Sequence, residues 1–187
     1  RRGFECGGGI VNPAAPIPAT ASAHNPWHAH AVRIAEIIEE VPGVATYQLV
    51  FEEPEVTESY SFRPGQFNML YLPGLGEIAI SVSGDPALHS GVPHTIREAG
   101  NVTRALAGYP PGSAIGLRGP FGSFWPLTEC IGHDVVLVAG GIGLAPLRPA
   151  ICELLANRER YGRLTLLIGS RDPAMLLYPS EYSEWRA

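Results

Sequence analysis

Between residues 30 and 127 short apolar runs alternate with turn signals, and near residue 128 the period of the pattern changes. At the start of this stretch Val32, Ile34 and Ile38 line one face of a strand, although 33–40 would also accept a helix. Runs at 47–51, 66–72, 77–83, 94–98 and 113–118 read as further strands. Pro42-Gly43, Pro64-Gly65, Pro73-Gly74, Gly84-Asp85-Pro86 and Pro111-Gly112 separate them. Residues 102–107 form a short helix with Asn101 as its N-cap, since an Asn side chain can accept a hydrogen bond from the first free amides. Several short strands with regular punctuation predict a small antiparallel barrel rather than a helical bundle.

Beyond residue 128 the unbroken apolar run 135–139 enters Gly140-Gly141-Ile142-Gly143, followed by a helix over 147–159 carrying Ile151, Leu154 and Leu155. A second apolar run, 164–168, completes a βαβ unit whose parallel strands are expected to be buried. Pro149 is expected in the first turn of the helix, where a missing N–H costs little. The glycines let the backbone turn sharply and bring bare amides to the positive end of a helix, which suits a pyrophosphate. Full G-x-G-x-x-G spacing is lacking, so a ligand-free turn remains an equal reading of this segment alone. A doubly wound domain needs roughly 100 residues or more, so 134–187 is expected to be only its first part. Either the chain is a fragment or something else covers the sheet edge.

The 187 residues allow one large domain or two small ones, and 45% hydrophobic content is enough to bury a core. There is no apolar run near the roughly 20 residues that cross a bilayer, and no signal-like start, so a cytoplasmic location without a membrane span is expected. Thirteen basic and 18 acidic residues give a charge of −5, without a basic cluster, which excludes a nucleic-acid surface. Cys6, Cys130 and Cys152 are distant and odd in number, arguing against a disulfide framework; they are expected as thiols, Cys130 and Cys152 buried. Residues 1–29, rich in Gly, Pro and Ala, read as an N-terminal arm or linker. Its His24, His28 and His30 flank Trp27 with no carboxylate or thiol partner nearby, so they read as a polar tail and no metal site is assigned.

Candidate chemistry lies on Ile80-Ser81-Val82-Ser83 and His94-Thr95-Ile96-Arg97. Strand alternation would put Ser81 and Ser83 on one face, ready to hydrogen-bond a flat heterocycle, while Arg97 offers fixed charge to phosphate. Gly100-Asn101-Val102-Thr103 offers free amides and a hydroxyl to a pyrophosphate, or is simply a capped helix start. The order of these segments, ending in a second nucleotide-type turn, is more informative than any one of them.

On Arg118-Gly119-Pro120-Phe121-Gly122, on Val138 through Pro146, and on Gly169-Ser170-Arg171, the chain resembles the ferredoxin–NADP reductase superfamily. Within it the resemblance is to the flavin-binding gamma subunits of cytosolic nickel–iron hydrogenases, or sulfhydrogenases, from about residue 31 to 185. It implies a Greek-key antiparallel barrel over 30–127 that holds FAD. A partial parallel-sheet α/β domain over 128–187 would then receive NAD(P). Ser81 is implied to hydrogen-bond the flavin near its reactive nitrogen, as the candidate catalytic residue on the strand of Ile80, Val82 and Ser83. His94, Thr95, Ile96 and Arg97 are implied beside the ribityl and phosphates, and Gly100, Asn101, Val102 and Thr103 at the pyrophosphate. Gly140, Gly141, Gly143 and Pro146 would shape the nicotinamide nucleotide site, with Arg171 at the adenosine end. Many members have Arg three residues before the flavin Ser where this chain has Ile78, which puts more weight on Arg97. The [2Fe–2S] ligands of the relatives have no counterpart in this sequence.

The implied activity is that of an FAD-dependent NAD(P)H oxidoreductase (diaphorase) subunit. It would pass electrons between NAD(P)H and the iron–sulfur clusters of a partner, a nickel–iron hydrogenase. Rival readings are a free-standing flavin or ferredoxin reductase, a dihydroorotate dehydrogenase-type electron-transfer subunit, and a non-catalytic docking subunit that retains the barrel.

Overall fold

A computed structural model describes residues 27–88 and 90–186. Strands β1 (His30–Val41) and β2 (Val44–Phe51) form a hairpin whose turn places Gly43 at φ 75°. With β3 (Phe67–Leu72), β4 (Gly76–Ser81), β5 (Val92–Arg97) and β6 (Ala114–Phe121) they make one antiparallel sheet in the order β4-β3-β6-β1-β2-β5. Just beyond β4 the Ser83 N–H donates to the Pro93 carbonyl at 2.9 Å, bringing the two edges together and closing the sheet into a barrel. The crossings from β4 to β5 and from β5 to β6 give the expected Greek-key arrangement.

Two short helices decorate the barrel: α1 (Pro54–Ser59), with Pro at its start, and α2 (Asn101–Ala107). The interior is filled by alternate residues of the strands, including Val32, Ile34, Leu49, Leu70, Leu72 and Leu117, with Leu106 of α2. Complete burial of a Leu or Ile contributes roughly 1.5–3 kcal/mol, so these side chains dominate the stability of the barrel.

β1 is a strand throughout, which resolves the helix alternative, but Ile38 does not share the face of Val32 and Ile34. A bulge between Ile34 and Glu36 slips the register against β2, so Ile37 packs on the core and Ile38 is left 46% exposed. β4 likewise ends at Ser81 rather than 83.

The remainder is a βαβ unit of β7 (Val135–Gly140), α3 (Leu144–Ala156) and β8 (Leu164–Gly169), the strands parallel with Val135 opposite Leu164 and Gly140 opposite Gly169. Leu144, Leu147, Ile151 and Leu154 cover one face of this sheet. Its other face leaves Val136, Val138 and Leu167 exposed, so the strands are not buried on both sides as their composition suggests. α3 begins three residues earlier than expected, because a 3₁₀ turn over Gly141–Gly143 winds straight into it. Pro146 therefore occupies the first turn and Pro149 lies inside the helix, leaving the Ala145 carbonyl without its usual donor.

Val41 and Val44 at the β1–β2 turn pack with Ala139, Leu144, Leu177 and Tyr178, so an apolar cluster joins the barrel to the βαβ unit. Cys130 and Cys152 are half-buried rather than buried; burial still pushes the Cys152 thiol up to about 11. Cys6, His24 and nearly all of the expected arm fall outside the described residues. Among the described residues no helix is long and apolar enough to cross a membrane.

Candidate functional site

A cleft of about 600 Å³ opens between the barrel and the βαβ unit, lined by Val41, Val44 and Arg97 on one side and by Gly140, Gly141, Ser170 and Arg171 on the other. Arg97 ends β5 and Arg171 follows β8; both are exposed and neither forms an ion pair with a described residue. Among the described residues the lining contains no carboxylate, so two guanidiniums and backbone amides set its potential, which suits an anionic ligand.

Gly141 adopts φ 51°, a left-handed conformation that other residues resist, and this turn swings the chain from β7 into α3. A Cβ added at Gly140, Gly141 or Gly143 would meet nothing within 4 Å. The turn therefore faces open space rather than packed chain, as a cradle for a bulky anion must. Gly143 and Pro146 form the start of α3 beside the cleft without lining it.

Ser81 lies outside this cleft, on the outer face of the barrel. It stands opposite Phe67 on β3, and Phe67 stands opposite Phe121 on β6, giving a row of hydroxyl, ring and ring across three strands. The two phenyl centroids are 5.9 Å apart. This aromatic wall escaped the sequence reading, because which residues stand side by side depends on inter-strand register. The signal was present in Gln66-Phe67 after a Pro-Gly turn and in Pro120-Phe121-Gly122.

Strand alternation removes several expected side chains from the site. Ile80, Val82, His94 and Ile96 point into the barrel, and Ile78 also packs on the core. His94 is completely buried. Its Nδ1–H donates to the Val92 carbonyl at 2.9 Å, so Nε2 accepts from Asn68 Nδ2 at 3.1 Å. Asn68 in turn exchanges hydrogen bonds with the Tyr60 hydroxyl at 2.8 and 3.1 Å. Burial holds the imidazole down at about 4, leaving it a neutral structural group with no ring atom to offer a ligand.

Ser83 does not accompany Ser81. Once β4 has ended, the chain turns and buries Ser83 with its Oγ on the Pro93 carbonyl at 3.2 Å and beside Thr95 Oγ1 at 2.9 Å. Thr95 also lies 2.8 Å from Thr46 and 2.6 Å from the Tyr178 hydroxyl, and Thr46 donates to Glu40 at 2.6 Å. The set is satisfied when Tyr178 donates to Thr95, Thr95 to Thr46 and Thr46 to Glu40. The side chains of Thr95 and Ser83 are thus engaged within the protein and join the barrel to the segment after β8. Burial pushes the Tyr178 hydroxyl up to about 12, so it remains a donor at neutral pH.

At α2 the N-cap is Gly100 and not Asn101, which is exposed within the first turn. Thr103 performs the capping: its buried Oγ1 accepts from the Ala99 and Gly100 amides at 3.0 and 2.9 Å and donates to the Gly100 carbonyl at 3.1 Å. Its hydroxyl is turned back onto the chain and is not open to a phosphate. Val102 packs on the barrel, so the turn offers only its backbone and the open space in front of Gly100.

No protein-family model matches the chain. Over 157 residues it is 35% identical to sulfhydrogenase 1 subunit gamma of Pyrococcus furiosus, an alignment covering 84% of this chain and 54% of that one. It is also 35% identical over 150 residues to a probable dihydroorotate dehydrogenase B (NAD(+)) electron transfer subunit of Methanocella arvoryzae, covering 80% and 51%. A ferredoxin NADP+ reductase from Neisseria gonorrhoeae, solved with bound FAD and NADP, matches with a TM-score of 0.70 at 23% identity over 83% of this chain and 63% of that one. The chain has the fold of ferredoxin–NADP reductases, and in sequence it is similar to the sulfhydrogenase gamma and dihydroorotate dehydrogenase B electron transfer subunits. It spans about half the length of the curated relatives it matches. Its six-stranded antiparallel sheet and two-stranded parallel sheet share the fold of these reductases.

Proposed function

We propose that this chain is the FAD- and NAD(P)-binding part of an electron-transfer subunit. It exchanges electrons between NAD(P)H and the iron–sulfur clusters of a partner in a multi-subunit oxidoreductase of the cytosolic nickel–iron hydrogenase type. The observation that carries this reading is the cleft lined by Arg97 of the barrel, Arg171 of the βαβ unit and the Gly140-Gly141 turn, with no carboxylate among the described lining residues. The donor set fits the phosphates of dinucleotides, and the open space before Gly100, Gly140, Gly141 and Gly143 leaves room for them.

FAD, when bound, accepts a hydride from a nicotinamide and can release electrons singly to iron–sulfur carriers. The remaining work falls to the chain. Ser81, Phe67 and Phe121 would hold the flavin ring, the hydroxyl fixing its orientation and the phenyl rings its plane. Arg97, with the backbone at Gly100 and Asn101, would neutralise its phosphates. The Gly140–Gly143 amides and Arg171 would hold the nicotinamide dinucleotide. The apolar cluster shared by barrel and βαβ unit would hold the flavin and nicotinamide sides of the site at a fixed spacing.

The test is purification under anaerobic, non-denaturing conditions with its partners. One FAD per chain and co-purifying nickel support the hydrogenase reading, and protein free of flavin overturns it. The Methanocella relative, equal in identity, favours a second reading in which the partner is a dihydroorotate dehydrogenase. A pyrimidine-oxidising enzyme in place of nickel would mark it. A yellow protein that neither NADH nor NADPH bleaches would instead mark a docking subunit.

A further inference from the structure

Arg148 lies on α3, the helix that rises from the glycine turn, and its guanidinium reaches two other segments, the one after β4 and the one after β8. Nη1 donates to the Ser83 carbonyl at 2.6 Å, two residues beyond Ser81. Nε donates to both Glu181 carboxylate oxygens at 3.0 and 2.8 Å, and the guanidinium carbon lies 5.3 Å from the centroid of the Tyr178 ring. Tyr178 is buried at φ 56° and ψ 44°, a left-handed conformation that a residue with a side chain keeps only when its surroundings hold it. Its hydroxyl closes on Thr95 of β5 at 2.6 Å. The planar fork of Arg148 and the ring beneath it therefore fasten the end of the Ser81 strand, the strand that carries Arg97 and the nucleotide helix to one another.

We propose that Arg148 and Tyr178 are positioning residues that set the spacing between the flavin side of the site, at Ser81, and the nicotinamide side, at Gly140–Gly143. This rests on the reading of the cleft given above. Neither side chain needs to touch a cofactor; each acts through the segment it holds. Hydride transfer depends steeply on the separation of the reacting rings, so loosening the clamp slows transfer without emptying either site.

The test compares Arg148→Gln, Arg148→Lys and Tyr178→Phe with wild type, each as the full FAD-containing complex. Amide hydrogen exchange in 81–84 and 176–182 should rise about tenfold or more in Arg148→Gln, with β1 and β6 unaffected. Flavin reduction at saturating NAD(P)H should fall at least about tenfold while KM and FAD content stay within about twofold, and Arg148→Lys should recover part of the rate. Tyr178→Phe keeps the ring and loses only the bond to Thr95, so it should fold and show a smaller change of the same sign. Unchanged exchange, or a shift confined to KM, in Arg148→Gln and Tyr178→Phe overturns the positioning role and leaves the flavin reading standing. Wild-type protein that NAD(P)H cannot reduce overturns the flavin reading, and the positioning role with it.

Discussion

Asn68 Nδ2 donates to His94 Nε2 across 3.1 Å at the centre of the barrel, and both residues are completely buried. This bond requires a neutral imidazole, since a proton on Nε2 would face the amide N–H. The ordinary His value of 6.5 falls to about 4 in the fold, with burial as the leading cause. The unfolded chain therefore binds a proton that the folded chain refuses. Stability from neutral His94 is complete above about pH 6.5 and is lost as pH falls toward about 4, on the order of 3 kcal/mol in all. Urea midpoints measured across that window should decline in wild type. The part of the slope due to this residue should vanish in His94→Gln.

The bulge in β1 predicts opposite outcomes at two isoleucines that alternate alike in the sequence. Ile34→Ala removes a fully buried side chain and should cost about 2–5 kcal/mol. Ile38→Ser, on the solvent side, should change stability by less than about 0.5 kcal/mol. Chemical denaturation of both variants checks the register.

Gly141 and Gly140 separate backbone strain from ligand contact. Gly141→Ala must enter a left-handed conformation and should lose roughly 1–2 kcal/mol of stability as well as nucleotide affinity. Gly140→Ala has ordinary extended angles and open space around the new methyl, so stability should hold. If a pyrophosphate approaches that turn, affinity for NAD(P)H should still drop about tenfold or more, read by isothermal titration.

Arg97 and Thr103 should divide in the same way. Arg97→Gln takes a cation from the cleft and should lower FAD retention with little effect on folding. Thr103→Val removes a buried cap and should cost roughly 0.5–2 kcal/mol of stability, with FAD loss only as a consequence. Flavin content after gel filtration, set beside thermal melts, distinguishes them.

The two sheets were legible because local period and turn residues specify them: alternation with Pro-Gly punctuation for the barrel, and an apolar strand into a glycine turn for the βαβ unit. Arg97, Gly140 and Gly141, which line the cleft, were legible for the same reason, each standing at the end of a readable strand, whereas Arg171 entered only through the family resemblance. What escaped depends on register or on distant contacts. One inserted residue in β1 turned Ile38 outward, and the early end of β4 parted Ser83 from Ser81. The pairing of Phe67 with Ser81 and Phe121 is a property of three strands at once. Arg148 meets Ser83 across 65 positions, and Thr95 meets Tyr178 across 83, separations on which no local pattern reports. The helix α1 did leave a signal, a Pro at its first position followed by Glu55, too short to register as a period.

Anaerobic titration of the FAD-loaded protein with NADH and with NADPH, followed at the visible flavin band, tests the central claim most directly. The account predicts that one equivalent of at least one nicotinamide bleaches the band, and that Arg171→Gln raises the concentration required. A flavin that stays fully oxidised with both reductants in excess would contradict it.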